Sequence, residues 1–180
     1  MSHAPRPGRC RDLNLLLQEA LTPFREGQPE RRHGGRVFGV GDKVTQLRNN
    51  YDKGAAGVFN GTVGVVTSMS LQDHKLTVLT DEDESVDYGL DELDELTHAY
   101  AATIHRSQGS EYPAEVIPLT MGPWLMLRRN LIYTGVTRAK KLVVLVGARR
   151  ALAVAVRTAG AGRRHTALDH RLAQFTVNDP

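Results

Sequence analysis

Hydrophobic and polar residues fall into three successive rhythms along this chain of 180 residues. The stretch Leu13-Asn14-Leu15-Leu16-Leu17-Gln18-Glu19-Ala20-Leu21 is apolar on most sides and is closed by Pro23. It predicts a short packed helix with Asp12 at its N-cap. Residues 1–11 are rich in Pro, Gly and Arg and predict a disordered tail; 25–35 predict a loop. From Arg36 the pattern shortens to β-branched runs roughly every ten residues, the spacing of a small twisted barrel. The Asn60-Gly61 turn leads into Val63-Gly64-Val65-Val66, Lys75 to Thr80 alternates, Asp81 to Glu84 forms a hairpin tip and Ser85 to Tyr88 returns. The barrel is expected over 36–97, with Val58, Val63, Val65, Leu76, Val78, Val86 and Leu90 as its core. After Leu96 strands and helices alternate. Tyr100 to Ile104 predicts a strand end and Ala114 to Leu119 a second strand. A helix runs to about Arg138, and Lys141 to Gly147 reads as a fully buried parallel strand. Helices are expected over 148–159, ended by Gly160-Ala161-Gly162, and over Thr166 to Phe175. The fold class is therefore α/β, a parallel sheet with helices interrupted by a small barrel.

Between the strands of the third region lies a dense polar turn holding Thr103, His105, Ser107, Gln108, Gly109, Ser110 and Glu111. It is followed, after an apolar run, by Asn130-Leu131-Ile132-Tyr133-Thr134-Gly135-Val136-Thr137-Arg138-Ala139. Thr103-Ile104-His105-Arg106-Ser107-Gln108-Gly109-Ser110-Glu111-Tyr112 and Tyr133-Thr134-Gly135-Val136-Thr137-Arg138-Ala139 resemble the last two motifs of superfamily 1 helicases of the UvrD/RecD-like branch, in that family's order and at about its separation. The resemblance reaches back to about Leu13. Gln46, Arg48, Asn49, Asn50 and Tyr51 resemble the QxRNNYD signature of the RecD-like branch, and Asn60-Gly61 its FNG turn.

This resemblance implies a fold and a set of roles. The chain would be the second RecA-like motor half, incomplete, over 12–35 and 98–180, with a Src-homology-3-like barrel inserted at 36–97. Arg138 would be the arginine finger, since a guanidinium pairs with phosphate oxygens and stays charged. Gln108, Gly109 and Glu111 would face nucleotide, Glu111 accepting from hydroxyls and Gly109 permitting a close approach or a positive φ. Thr103 and His105 would donate to phosphate oxygens of single-stranded DNA. Gln46, Asn49, Asn50, Tyr51 and Asn60 would bond to or stack on bases. Read from the residues alone, that group serves equally as turn-capping amides and a half-buried ring. Trp124 reads as a core or rim residue or a stacking platform. Gly135 stands where the family more often has alanine, and the loop at Gly54 to Gly57 is longer than usual. Residues 1–11 replace a family strand, leaving the sheet one strand short at an exposed edge.

Composition adds limits. Lys and Arg number 23 against 20 Asp and Glu, a formal net charge of +3, which by itself does not signal nucleic acid. The bases cluster at 25–36, 128–141 and 149–164, and the acids at 81–95. One cysteine, Cys10, excludes an internal disulfide and fits a reducing cytoplasm. No apolar run is long enough to span a membrane and no secretory signal is expected. His98, His165 and His170 lack metal-ligand spacing, so no metal site is expected. The phosphate loop G-x-x-x-x-G-K-[ST] does not occur, nor does an apolar strand ending in Asp-Glu. ATP, with its Mg²⁺, would thus be held by the first motor domain, absent here, or by a complementing chain, and no ATP turnover is expected from this polypeptide alone. Two readings stand: the C-terminal portion of an ATP-dependent RecD-like DNA helicase, or a stand-alone non-catalytic module for single-stranded DNA.

Overall fold

The computed structural model of the chain describes residues 10–120 and 128–158. It divides into two compact units, Met1–Glu111 and Tyr112–Pro180. The first contains helix α1 (Cys10–Leu21), a hairpin of β1 (Glu30–His33) and β2 (Arg36–Gly39), and a five-stranded antiparallel sheet. The sheet is built from β3 (Lys43–Gln46), β4 (Val63–Ser70), β5 (Lys75–Thr80), β6 (Ser85–Gly89) and β7 (Leu96–His98), in the order β6-β5-β4-β3-β7. A single 3-10 turn, Leu93–Glu95, leads into β7.

Two cross-strand rows make the core of this sheet. Val66 pairs with Val78 and Val78 with Val86; Met69 pairs with Leu76 and Leu76 with Tyr88. All six are buried, beside Phe38, Val44, Val58, Leu90, Leu93 and Leu96. Each buried aliphatic side chain contributes about 1.5–3 kcal/mol, so these rows fix the register. The expected core is corrected at one strand. Val66 faces inward, whereas Val65 is 42% exposed and Val63 half-buried. The reason is Gly64, which takes the other inward position of β4. A Cβ there would lie 2.5 Å from Val78 Cγ1 and 2.6 Å from the Leu79 carbonyl oxygen, so the strands approach where only glycine fits.

Three further boundaries differ from expectation. Helix α1 begins at Cys10, inside the stretch expected to be a tail; residues 1–9 lie outside the described residues. The buried positions of α1 are Asn14 and Gln18, while Leu15, Leu16 and Leu21 are exposed. The expected loop at 25–35 contains β1, paired to β2 through Gly34 and Gly35 at φ of 56° and 72°. Two adjacent positive-φ glycines are what a tight hairpin needs. Tyr100 to Ile104 is not a strand: β7 ends at His98, and 99–111 is irregular with a run of turns.

The second unit holds β8 (Tyr112–Leu119), α2 (Arg129–Val136), β9 (Ala139–Gly147) and α3 (Arg149–Arg157). Strands β8 and β9 pair in parallel, with Val116 opposite Val144 and Ile117 opposite Leu145. Ile117 and Leu119 pack with Ala151 and Ala155, supported by Ile132, Val143 and Leu152. Helix α2 stops at Val136, short of Arg138. The expectation that β9 is fully buried is corrected, because Leu142, Val144 and Val146 are exposed, as is Val116 on β8. Among the described residues the pair has one covered face. The helix expected at 166–175, the 160–162 stop and Trp124 lie outside the described residues.

Gly64→Ala is expected to destabilise the first unit by about 1–3 kcal/mol, through overpacking against Val78 and the Leu79 carbonyl. Urea denaturation checks this; an unchanged midpoint would mean that β4 and β5 are not so closely apposed.

Candidate nucleic-acid and nucleotide interface

The turn at 103–110 is braced from within. The Thr103 carbonyl accepts from the Arg106 and Ser107 amides at 2.9 and 3.1 Å, and its hydroxyl accepts from Arg106 N–H at 3.3 Å. Ser107 is buried and donates its hydroxyl to the Ile104 carbonyl at 2.9 Å. Gln108 and Ser110 amides donate to the His105 and Ser107 carbonyls. Gly109 sits at φ +91° with open space where a Cβ would stand, so its positive φ is the feature the turn requires. With the turn braced by these backbone bonds, Thr103, His105, Gln108 and Glu111 are left exposed. The segment leading in is latched to α1. The Asn14 amide donates to the Ala101 carbonyl at 2.8 Å and its oxygen accepts from the Ala101 amide at 3.0 Å. The Cys10 thiol donates to the same carbonyl at 3.1 Å, and burial pushes that thiol up from its ordinary value.

The 46–51 string separates into two sets. Gln46 is 2% exposed and is bonded at both ends of its amide, donating to Glu95 Oε2 at 2.9 Å and accepting from the Tyr88 hydroxyl at 3.0 Å. Asn50 donates to both Glu95 oxygens at 3.1 and 3.0 Å, and Arg48 reaches Glu95 Oε1 at 3.2 Å and Asp94 Oδ2 at 3.2 Å. Burial alone raises the Glu95 pKa, but Asn50, Gln46 and Arg48 outweigh it and hold the carboxyl below its usual value. Gln46, Arg48 and Asn50 therefore organise a buried carboxylate that sequence reading missed, since nothing in an Asp/Glu-rich run marks the one that turns inward.

Asn49, Tyr51 and Asn60 face outward. Asn49 braces two loops, accepting from the Asn60 amide at 2.9 Å and donating to the Tyr51 hydroxyl at 3.2 Å. Tyr51 is 71% exposed and meets the exposed ring of Phe59 edge-on, with centroids 6.0 Å apart. Phe59 was not anticipated as a surface residue; its signal was an aromatic beside an Asn-Gly turn. Lys53, seven-eighths buried at its side chain, is paired with Glu92 at 2.7 Å and lies over the Tyr88 ring.

In the second unit Arg138 stands between α2 and β9. Its amide donates to the Gly135 carbonyl at 2.9 Å, and its carbonyl accepts from the Tyr112 amide at 2.8 Å. The guanidinium Nε is buried, as is Glu115 Oε2, which has no hydrogen-bond donor among the described residues. Burial raises the Glu115 pKa, and the Arg138 charge opposes that rise. Gln108, Gly109 and Glu111 belong to the first unit and Arg138 to the second. Taken singly, Arg138 offers a guanidinium of the kind that pairs with phosphate and Glu111 an acceptor for hydroxyls, and neither belongs to an amide-and-lysine cradle of the kind that holds a triphosphate. Among the described residues no group of three or more His, Cys, Asp and Glu is placed to hold a metal ion. No helix among them is long and apolar enough to cross a membrane.

Comparison with known proteins places these features in a class. The sequence model of the ATP-dependent RecD-like DNA helicase SH3 domain matches residues 13–79, and that of the UvrD-like helicase C-terminal domain matches 98–146. The fold is shared with a Bacteroides Pif1 helicase solved with ADP-AlF3 and single-stranded DNA, at TM-score 0.56 and 17% identity, over 93% of this chain and 44% of that one. The class is thus that of superfamily 1 helicase domains. More particularly, the chain belongs to the UvrD/RecD-like helicase family. It is 36% identical over 143 residues to the ATP-dependent RecD2 DNA helicase of Deinococcus radiodurans, covering 79% of this chain and 19% of that protein. It is 31% identical over 99 residues to the RecBCD enzyme subunit RecD of Mycobacterium tuberculosis, covering 55% of this chain and 17% of that protein. The chain thus spans about a fifth of the length of these relatives.

Glu95→Ala is expected to cost about 1.5–3 kcal/mol at neutral pH, the scale of hydrogen bonds to a charged group. Because the folded pKa lies below the unfolded one, this contribution is complete above the ordinary carboxylate range. It is lost as pH falls through the lowered folded value, so the gap between wild type and variant narrows there. Chemical denaturation across pH checks it; a pH-independent gap would contradict it. Separately, Arg138→Ala is expected to move the Glu115 carboxyl titration upward in a ¹³C NMR titration. An unmoved titration would show that the two side chains do not interact.

Proposed function

We propose that this chain is the C-terminal portion of an ATP-dependent RecD-like DNA helicase, a RecA-like motor half with an inserted Src-homology-3-like barrel. It grips single-stranded DNA and completes a nucleotide site whose phosphate-binding half lies elsewhere. The observation that carries the reading is the 103–111 turn. Its backbone is braced from within by bonds of the Arg106, Ser107, Gln108 and Ser110 amides while Thr103, His105, Gln108 and Glu111 are displayed to solvent. A turn of that kind presents fixed polar groups without needing a ligand to order it. Thr103 and His105 contact backbone phosphates of the strand, which positions it without reading sequence. Asn49, Tyr51 and Asn60 form a second contact on the barrel, with Gln46 and Asn50 holding the loops behind them. Arg138 serves as the arginine finger, stabilising charge on the transferred phosphoryl group, a role worth about 10³–10⁵ in rate where it operates. Gln108, Gly109 and Glu111 line the nucleotide edge. ATP with Mg²⁺ would be held chiefly by the missing motor half, and this chain's own contribution is to orient and to supply positive charge.

The test is fluorescence anisotropy of a labelled single-stranded oligonucleotide titrated with the chain, beside an ATPase assay. Salt-sensitive binding without ATP turnover is expected. His105→Ala is expected to weaken binding about tenfold, the loss of one bond to a charged group. Unchanged affinity would remove His105 from the interface, and turnover by this chain alone would overturn the division of labour.

A further inference from the structure

Three arginines of the first unit come from three separate segments, and two of them lie over one glycine turn. Arg11 lies in the first turn of α1, Arg36 opens β2 and Arg106 sits in the 103–109 turn. The segments are held together by the bonds of Cys10 and Asn14 to Ala101 and by the hairpin turn itself. Arg11 Nη2 donates to the Gly35 carbonyl at 3.3 Å, and a Cβ on Gly35 would lie 3.0 Å from it. Arg36 Nη1 is 3.9 Å from where a Gly34 Cβ would stand and donates to the Leu96 carbonyl at 3.3 Å. The two guanidiniums thus lie over adjacent residues of one glycine turn, which has no side chain to separate them.

The charges of Arg11 and Arg106 both act on Arg36. After burial, the largest cause, they push its guanidinium below the ordinary value. The ion pairs among the described residues of this unit engage Arg32, Arg48, Lys53, Lys75 and His98, and none engages Arg11, Arg36 or Arg106. Holding three like charges together without a carboxylate is unfavourable. The arrangement suits an anion that arrives from outside. Arg11 and Arg106 are exposed and Arg36 half-buried, so their remaining N–H donors are open to it.

We infer that Arg11, Arg36 and Arg106 form a phosphate-binding site that takes the backbone of a single strand, continuing the track that begins at Thr103 and His105. This rests on the single-strand reading above. Arg106 lies one residue from His105, so the track and the site share a turn. The site reads no sequence; guanidinium forks on phosphate oxygens fix register alone.

The experiment is the salt dependence of oligonucleotide binding by the full chain. For a single strand, log K falls by about 0.7 per log unit of salt for each phosphate neutralised. The triple variant Arg11→Gln/Arg36→Gln/Arg106→Gln is expected to lower that slope by about 2. The double variant Arg11→Gln/Arg106→Gln keeps the bond from Arg36 to Leu96 and is expected to lower the slope by about 1.4, guarding against loss of fold. The pair Arg31→Gln/Arg32→Gln removes equal charge from exposed β1 and is expected to leave the slope nearly unchanged. If the control pair lowers the slope as much as the double variant, binding is diffuse attraction and the site is overturned. If wild type binds but the double and triple variants keep its slope, the site is overturned while the single-strand reading stands. If wild type does not bind, both fall. Arginine Nε–H NMR signals titrated with inorganic phosphate form the last arm. Saturation there, with oligonucleotide slopes unmoved in the variants, would assign the cluster to free phosphate and overturn its role on a strand.

Discussion

The first unit depends on one buried carboxylate. Asp42 is 1% exposed, and a charge so placed must be surrounded by donors. Gln18 of α1 and the Gly39 amide each give Oδ2 a bond at 2.8 Å, and the Tyr100 hydroxyl gives Oδ1 one at 2.8 Å. His98 Nε2 stands 3.6 Å from Oδ2 and bonds the Val37 carbonyl at 3.1 Å. The helix, the β2–β3 turn and the end of β7 therefore converge on one acceptor. This explains why α1 buries Asn14 and Gln18 and turns leucines outward: its inner face is chosen by hydrogen bonds whose loss would strand a charge. It also sets the position of the 99–106 segment, because Asn14, about one helical turn before Gln18 on the same buried face of α1, holds the lead-in to the polar turn.

Glu95 does for the loops what Asp42 does for the helix. Three side chains of one short string, Gln46, Arg48 and Asn50, meet it, and the Leu47 amide donates to its carbonyl at 2.7 Å. Alternation along β3 and the following turn then sends Asn49 and Tyr51 the other way. A single motif thus serves two purposes, every second residue fastening the loop and the ones between facing solvent. Tyr88, bonded to Gln46 and crowded by burial and by Glu95 and Glu92, has its phenol raised well above the ordinary value, and it couples this centre to the sheet core.

Much of this was legible. The short antiparallel strands, the parallel pair of β8 and β9 and the positive φ of Gly109 follow from β-branched alternation, a continuous apolar run and a glycine in a polar turn. What failed did so for physical reasons. Val65 and Val66 are chemically alike, and only the clash a side chain would make at Gly64 decides which faces inward. Strand β1, Glu-Arg-Arg-His, has no apolar alternation at all, and its only signal was the Gly34-Gly35 pair. Tyr100 to Ile104 looked like a strand because its apolar residues serve the Asp42 and Asn14 networks, which sequence spacing does not reveal. The inward set of the 46–51 string was equally invisible, since an amide that binds a base and one that binds a buried carboxylate are the same residue.

Arg138, for which we propose the role of an arginine finger, is largely prepared before any ligand is near. Its backbone is fixed on both sides, by Gly135 behind it and by Tyr112 across the sheet. Its Nε is buried, which limits the rotamers the side chain can visit. Glu115, on the neighbouring strand, feels its charge. A long side chain ordinarily loses rotamer entropy when it meets its target, about 0.5–1.5 kcal/mol for a rotamer-rich group. Burial of the stem and fixing of the Cα remove part of that loss in advance, and leave only the distal nitrogens to adjust. A lysine at this position would keep the charge but lose the planar fork. The competing carboxylate also sets a condition on the role. On the proposed role, a phosphate would have to hold the guanidinium more strongly than Glu115 does, which a multiply charged phosphoryl group with several acceptor oxygens can do and a neutral ligand cannot.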